Sequence, residues 1–194
     1  MNADIHTLYS SDFYSVLDFK CRCTDCRTSK PEHSESFSIS FVRKGNFLFN
    51  VFRHSLDSYN GCVLVTKPGY EHTVTHAHAI PDECTIFEFK HSFHEQLRKQ
   101  YGQLPFFTNN DIHSTLVKTD PALELMHFEI MRCILTKKDK LRVDALVIEL
   151  IEKVLPNITD YTPDIKVNAQ LKRAHLYTIE RAKEYIMLNF TQDV

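Results

Sequence analysis

The sequence predicts a mainly β fold, a barrel or sandwich of short strands, followed by α-helices. Two observations lead to this expectation. Residues 1 to about 115 contain short runs in which apolar and polar residues alternate, with turn residues between the runs. From about residue 119 the apolar residues instead recur at intervals of three and four, which is the period of an amphipathic helix.

The clearest strand signal is a hairpin. Two alternating runs are joined by a short loop that contains Gly45, and in the first run every second residue is apolar, so that Phe37, Ile39 and Phe41 share one face. The hairpin strands are predicted over Ser36–Val42 and Asn46–Phe52, and further strands over Cys62–Thr66, His72–His76 and Thr85–Phe89.

Two helices are predicted over residues 119–155. Asp120 is placed to cap the first helix, and Pro121 occupies its first helical position. The second helix runs from about Asp139 to Leu155 and has a nearly complete apolar face. Three further residues make this apolar surface wider than packing on one neighbour requires, namely Leu141, Ala145 and Ile148.

Composition limits the classes of protein that the chain can represent. No run reaches the 18 or so apolar residues of a membrane span, and the N-terminus lacks a signal-peptide layout, so we expect a cytoplasmic protein without membrane contact. The net charge is −2 and the pI is about 6.6, so this part of the chain is not expected to bind DNA tightly. Six cysteines in such a compartment are not expected to form disulfides.

The last segment carries a family resemblance. Residues 156–170 are predicted to be a linker, and over residues 171–194 the apolar residues Ile179, Ala182, Ile186 and Phe190 fall on one helical face that nothing further along the chain can cover. This stretch resembles the first helix of the helix-turn-helix DNA-binding domain of AraC-type transcription regulators, and Thr191-Gln192-Asp193 resembles the turn after it. We therefore expect the chain to stop inside that domain.

The resemblance implies an organisation and a function. In AraC-type regulators a cupin-like (double-stranded β-helix) barrel, here residues 1–115, senses a small-molecule effector. A helix pair, here residues 119–155, packs on the barrel and forms a homodimer. The missing part of the C-terminal domain would bind DNA, and no enzymatic activity is expected. The predicted dimer interface consists of Val143, Val147, Leu150 and Val154.

Two degraded cupin motifs support the barrel. The spacing of the second motif is kept at Gly61, Lys67, Gly69, His72 and His76, although Lys67 replaces a proline and His76 an asparagine. Counting back from Gly45 places His33 and Glu35 at the histidine positions of the first motif and Ser38 at its glutamate position. The predicted effector-site residues are His33, Glu35, His72 and Phe41. The alternative is a stand-alone cupin metalloenzyme with an open iron or manganese site at His33, Glu35 and His72.

The cysteines predict a second site. Cys23 and Cys26 have the C-x2-C spacing that lets two sulfurs bind one tetrahedral ion, and a histidine and a cysteine follow around a later loop. The resemblance to a subgroup of AraC-type proteins favours His76 over His78. The predicted ligands of a structural zinc ion are Cys23, Cys26, His76 and Cys84. A redox sensor built on these thiols, and plain packing of reduced cysteines, are the alternatives.

Overall fold

The computed structural model describes residues 3–23, 28–52, 54–76, 81–137 and 139–158, with isolated positions between 178 and 189. The chain divides into two compact units, residues 1–161 and 162–194. Most of the predicted linker and of the predicted last helix lies outside the described residues, although Thr178, Arg181 and Tyr185 are helical.

The elements of the first unit follow the predicted order of strands and then helices. The strands are β1 Ala3–Ser10, β2 Tyr14–Cys21, β3 Glu32–His33, β4 Phe37–Lys44, β5 Asn46–Val51, β6 His54–Tyr59, β7 Cys62–Thr66, β8 Glu71–His76, β9 Glu83–Phe89 and β10 Ser114–Lys118. The helices are α1 His91–Gln100, α2 Pro105–Thr108, α3 Pro121–Leu135 and α4 Lys140–Val154, with a 3-10 turn at Leu155–Asn157.

Two antiparallel sheets build the barrel. One has six strands in the order β1-β2-β9-β4-β7-β10, and the other has four in the order β3-β8-β5-β6. The alternation of side chains along the six-stranded sheet gives it two different faces. One face packs on the helices, and the other lines the barrel interior together with the four-stranded sheet. The predicted cupin-like barrel followed by a helix pair is confirmed.

Strand β4 shows how the faces are divided. Ile39 and Phe41 point to the helices and belong to the same core cluster as Ile130 and Val147. The alternate residues Ser38 and Ser40 point into the barrel. The apolar face of this strand was predicted correctly as core, but that core lies outside the barrel, under the helix pair.

The helix pair forms where it was predicted. The Asp120 carboxylate accepts a hydrogen bond from the Leu123 backbone N–H at 2.7 Å, which caps α3 as expected. On α4, the Tyr14 hydroxyl donates to Asp144 Oδ1 at 2.9 Å, and this bond fastens the helix to the hairpin of β1 and β2. Both helices lie against the six-stranded sheet through their buried stripes.

The predicted dimer residues need a correction. The side chains of α4 chosen for the interface are all 0% exposed, because they pack on the six-stranded sheet and on α3 within one chain: Val143, Val147, Leu150 and Val154. The remaining apolar residues, Leu141 and Ile148, are 75% and 42% exposed. The exposed apolar side chains of α4 therefore lie on its opposite side.

Several elements were not predicted. Strand β10 pairs with β7, Thr115 opposite Val65, so the barrel extends beyond residue 115 to Lys118. Helix α1 lies in a region that was predicted to be β, and its sequence HSFHEQLRKQ has too few apolar residues to show a helical stripe. It is held by tertiary contacts instead, since the buried His94 stacks on Phe37 at 5.1 Å between ring centroids.

Burial of His127 makes stability depend on pH. Its ring stacks on Phe41 at 4.3 Å, and burial lowers the pKa of His127 to about 4, with a smaller contribution from the charge on Arg43. In the unfolded chain the pKa of a histidine is about 6.5. Between these values the unfolded state binds a proton that the folded state does not, so stability is lost as the pH falls from about 6.5 to about 4.

We expect the His127→Phe variant to lose less stability than the parent protein on acidification. The ring can still stack on Phe41, but it no longer titrates, so the drop in unfolding free energy between pH 7 and pH 4.5 should shrink by roughly 2 kcal/mol. Urea unfolding at both pH values measures this difference. His6→Phe, the same change at an exposed position, should leave the drop unchanged. Equal drops in His127→Phe and the parent would contradict the assignment.

Candidate functional site

The barrel encloses a cavity of about 420 Å³ between its two sheets. Its walls come from both sheets: β2, β4, β5, β7, β8 and β9 supply every second residue, and residues 32–36 line it consecutively. An apolar part is formed by residues such as Phe47, Phe49, Leu64, Val74 and Ile86. A polar part is formed by Glu32, Ser34, Glu35, Ser36, Ser38, Thr66, His72 and Glu88.

His72 connects the two parts of the cavity. Its ring stacks on Phe49 at 4.5 Å, and its Nδ1 forms a hydrogen bond with Ser34 Oγ at 3.2 Å. Burial lowers the pKa of His72, although the nearby Glu32 opposes this effect. The imidazole is therefore neutral at pH 7 and can exchange hydrogen bonds with a ligand.

The polar part of the cavity is acidic. Burial raises the pKa of Glu88, and the charge on Glu35 raises it further. Among the described residues, neither carboxylate has a Lys or Arg side chain within ion-pair distance. A ligand with a positively charged or hydrogen-bond-donating group would relieve the repulsion between these two carboxylates.

The predicted effector residues are only partly brought together. His33, Glu35 and His72 all line the cavity, but His33 and Glu35 are exposed at its rim. Glu32 stands opposite His72 in the pairing of β3 with β8, whereas His33 stands opposite Glu71, which puts its side chain on the other face. Among the described residues, His33, Glu35 and His72 do not converge as a metal-binding group. Glu32 and Ser34 line the same stretch of the cavity as the predicted His33 and Glu35.

Phe41 was wrongly placed in the effector site. Its ring lies on the outer face of β4, between Phe87 and His127, and it does not line the cavity. The strict alternation of β4 shows that Phe41 and Ser40 face opposite ways, but it does not tell which face is the interior.

A second group of ligand-type side chains lies at the far end of β8. Cys21 is the last residue of β2, Cys23 follows it, and His76 is the last residue of β8. The sulfurs of the two cysteines and a ring nitrogen of His76 all lie within 4.8 Å of one another. Cys21 and His76 are buried and Cys23 is half-buried. We refer to these three residues as the thiol–imidazole cluster.

Asp82 fixes the histidine of this cluster. Its carboxylate, 2% exposed, contacts His76 Nδ1, and its backbone carbonyl accepts a hydrogen bond from the Cys21 N–H at 2.8 Å. The carboxylate stands on the Nδ1 side of the ring, so that Nε2 is the nitrogen on the side of the cysteines. That Nε2 atom lies 3.8 Å from Cys21 Sγ.

Gly45 makes room for Asp82. The residue has φ +87°, and a Cβ atom there would lie 2.9 Å from the Cα of Asp82 and overlap its carboxylate. The turn between β4 and β5 can therefore hold only glycine without displacing Asp82. Gly45, which predicts the hairpin in the sequence, thus also packs behind Asp82 and the thiol–imidazole cluster.

The structure brings two of the four predicted zinc ligands together. Cys23 and His76 belong to the cluster, Cys26 lies outside the described residues, and Cys84 is not in the cluster. Cys84 points into the cavity, where burial raises its pKa to about 12. Cys21 was missed, although the C-x-C spacing of Cys21 and Cys23 was visible in the sequence. Burial raises the pKa of Cys21 as well.

Comparisons with known proteins give similarity of structure alone. The sequence matches no model of a known protein family and no curated protein sequence. Among solved structures, it is similar to a cupin superfamily protein from Desulfitobacterium hafniense, with 13% identity and a TM-score of 0.38 over 45% of this chain and 76% of that one. It is also similar to the cupin domain of Cnp3 from Schizosaccharomyces pombe, with 8% identity and a TM-score of 0.42 over 50% of this chain and 68% of that one.

A cupin 2 conserved barrel domain protein from Salinispora arenicola shows similarity at the same level, with 11% identity and a TM-score of 0.40 over 51% of this chain and 85% of that one. The two sheets and the helix pair themselves define the fold. Within the described residues, no helix has the length and apolar character needed to cross a membrane.

We expect Gly45→Ala to destabilise the protein more than Gly69→Ala. Both glycines have φ near +90°, so each alanine stores backbone strain of about 1–3 kcal/mol. Only at Gly45 does the added methyl group also meet Asp82, because nothing lies within 4 Å of a Cβ at Gly69. Urea unfolding of the two variants should show a difference of at least about 1 kcal/mol. Equal losses would show that the close approach of Gly45 and Asp82 is not maintained in solution.

Proposed function

We propose that this chain is the effector-sensing and dimerising part of an AraC-type transcription regulator. The observation that carries the proposal is the helix pair, which covers the barrel with one face and leaves the other face apolar and exposed. A cavity inside the barrel and a second compact unit beginning at residue 162 agree with it. Residues 171–194 resemble the start of a helix-turn-helix domain, and this resemblance supports a DNA-binding domain in the same protein as the barrel.

The proposed effector is a small molecule with an apolar body and a cationic or hydroxylated head. The apolar body would lie against Phe47, Phe49 and Leu64, and the head would lie near Glu35 and Glu88. A volume of about 420 Å³ falls in the range of small-molecule sites, and such sites combine apolar walls with a few polar groups. In this proposal the barrel binds its ligand without catalysing a reaction.

The proposed dimer surface consists of two apolar stripes. On α3, Leu125, Phe128 and Leu135 are 60%, 59% and 71% exposed and recur at helical spacing. On α4, the exposed residues Leu141, Ala145 and Ile148 recur in the same way. We call these six residues the outer helix surface.

A second copy of this chain is the proposed partner of the outer helix surface. Both helices pack on the same sheet, so their outward faces lie on one side of the first unit. Soluble monomers rarely expose large contiguous apolar patches, and an apolar patch that meets the same patch on a second copy would form a two-fold dimer.

The proposed mechanism couples the cavity to the helix pair through the six-stranded sheet. Ser40 lines the cavity, while the next residue on β4, Phe41, stacks on His127 of α3 at 4.3 Å. An effector that binds one position of β4 more tightly than another would shift the population of helix positions, and with it the presentation of the C-terminal domain.

We expect the cavity to bind the neutral apolar dye Nile red, and we expect Ser40→Phe to weaken that binding at least ten-fold. The added ring would occupy the cavity, whose volume can accommodate it, so the melting temperature should change little. Fluorescence titration measures the affinity. The matched variant Ser10→Phe, at an exposed position, should bind like the parent protein. Unchanged binding to Ser40→Phe would place the dye outside the barrel.

We expect Phe128→Glu to convert a dimer into a folded monomer. Loss of a central apolar anchor costs about 2 kcal/mol or more, which is a rise in Kd of about 30-fold. Because Phe128 is exposed, the melting temperature of the monomer should be nearly unchanged. Leu150→Glu should instead fail to fold, since it buries an unpaired charge at a position that is 0% exposed. Analytical ultracentrifugation and thermal unfolding separate these outcomes.

Phe52→Glu is the matched control for this prediction, because Phe52 is 76% exposed and lies away from the helix pair. It should remain dimeric.

The regulatory role is tested by joining residues 1–194 to a DNA-binding domain that represses a reporter only as a dimer. Phe128→Glu should abolish repression and Phe52→Glu should preserve it. Repression by the unsubstituted fusion and by both variants, or by none of the three, would contradict the proposed role of the outer helix surface.

A further inference from the structure

We propose that Cys21, Cys23 and His76 bind a zinc ion through two sulfurs and the Nε2 atom, and that Asp82 orients His76 as a positioning residue. This site differs from the predicted effector set, because His72 and His76 stand four residues apart on β8, about 13 Å along the strand. The proposal does not depend on the role in transcription.

The distances in the cluster suit a tetrahedral ion. A sulfur at about 2.3 Å and an imidazole nitrogen at about 2.05 Å from the same zinc lie about 3.6 Å apart. Cys21 Sγ and His76 Nε2 are 3.8 Å apart, and the three proposed ligand atoms all lie within 4.8 Å of one another. The described residues therefore supply three ligands of a four-coordinate site with little adjustment.

The surroundings of His76 are those of a metal ligand. Histidines that bind metals usually donate the other ring N–H to a carboxylate, which fixes the ring and makes the ligating nitrogen more basic. The buried Asp82 carboxylate lies within ion-pair distance of Nδ1, where it can take up this role. Neither of its oxygens has the geometry of a hydrogen bond with a described residue. A buried carboxylate with so few partners is costly unless a positive charge is nearby, and a zinc ion on His76 would supply that charge.

The backbone around Cys21 fixes the position of its sulfur. The Cys23 N–H donates to Cys21 Sγ at 3.3 Å, so the sulfur is held in place within the cluster. When zinc binds, each thiol forms a Zn–S bond and releases its proton to water. Two thiolates and a neutral imidazole are a donor set that zinc commonly takes in proteins, whereas magnesium and calcium prefer oxygen.

The proposed zinc ion would join the two sheets. Cys21 ends β2 in the six-stranded sheet, and His76 ends β8 in the four-stranded sheet. His76 and Asp82 also line the cavity, so the ion would stand at one end of the effector site. Removing the ion should loosen the contact between the sheets at this end of the barrel.

The test begins with the reduced 194-residue chain and zinc alone. Mass spectrometry after dialysis should find about one zinc per chain. In Cys21→Ser, Cys23→Ser and His76→Gln the zinc content should fall at least ten-fold, whereas Cys133→Ser, a buried cysteine of α3, should keep about one zinc. Asp82→Asn should keep the stoichiometry and weaken the affinity 10- to 100-fold, as expected for a residue that acts through His76.

A second measurement needs no variant and so remains valid if the variants fail to fold. Zinc should protect Cys21 and Cys23 from alkylation in the native protein, and a chelator should remove this protection and lower the melting temperature. Substituted cobalt should show a thiolate charge-transfer band. Zinc retained in both cysteine variants, or Cys21 and Cys23 alkylated equally with and without zinc, would overturn the proposal. A disulfide between them in the metal-free protein that zinc cannot prevent would overturn it in favour of a redox role.

Discussion

Burial of the six-stranded sheet on both faces is the constraint on which the rest of the structure depends. Because successive side chains alternate, each strand must supply one row for the helix pair and another for the barrel interior. In β4 the helices receive Ile39 and Phe41, and the interior receives Ser38 and Ser40. A face covered by helices can be wholly apolar. A face that lines a cavity can keep hydroxyl groups, so the same strand builds both the core and the candidate binding site.

The two ends of β8 have separate chemistry for the same reason. His72 and His76 both point inward, but one stacks on Phe49 near the acidic rim and the other contacts Asp82 at the opposite end. The close approach of Asp82 to Gly45 ties the second of these ends to a turn that no larger residue can form without strain. A ligand in the cavity and an ion in the thiol–imidazole cluster would therefore share one wall.

The helix pair makes different use of its two sides. The inner stripe of α4 packs on the six-stranded sheet, so substitutions there change the stability of the fold. The outer helix surface is exposed in the first unit, so in the proposed dimer substitutions there would change association and not folding. One sheet thereby connects the cavity to the outer helix surface. The proposed mechanism requires this connection, because a bound effector must change the arrangement of the two copies in the dimer.

The sequence alone determined the order of strands and helices, the cap at Asp120 and the presence of ligand-type residues at His72, Cys23 and His76. These features depend on local period and spacing, which a single chain displays directly. Only the tertiary structure decided which face of a strand or helix is inside. Alternation predicts two faces but does not say which one is covered. Phe41 and the buried side of α4 were therefore assigned to the wrong neighbours, and the link of Cys21 to Asp82 appears only when strands distant in sequence pair in the folded barrel.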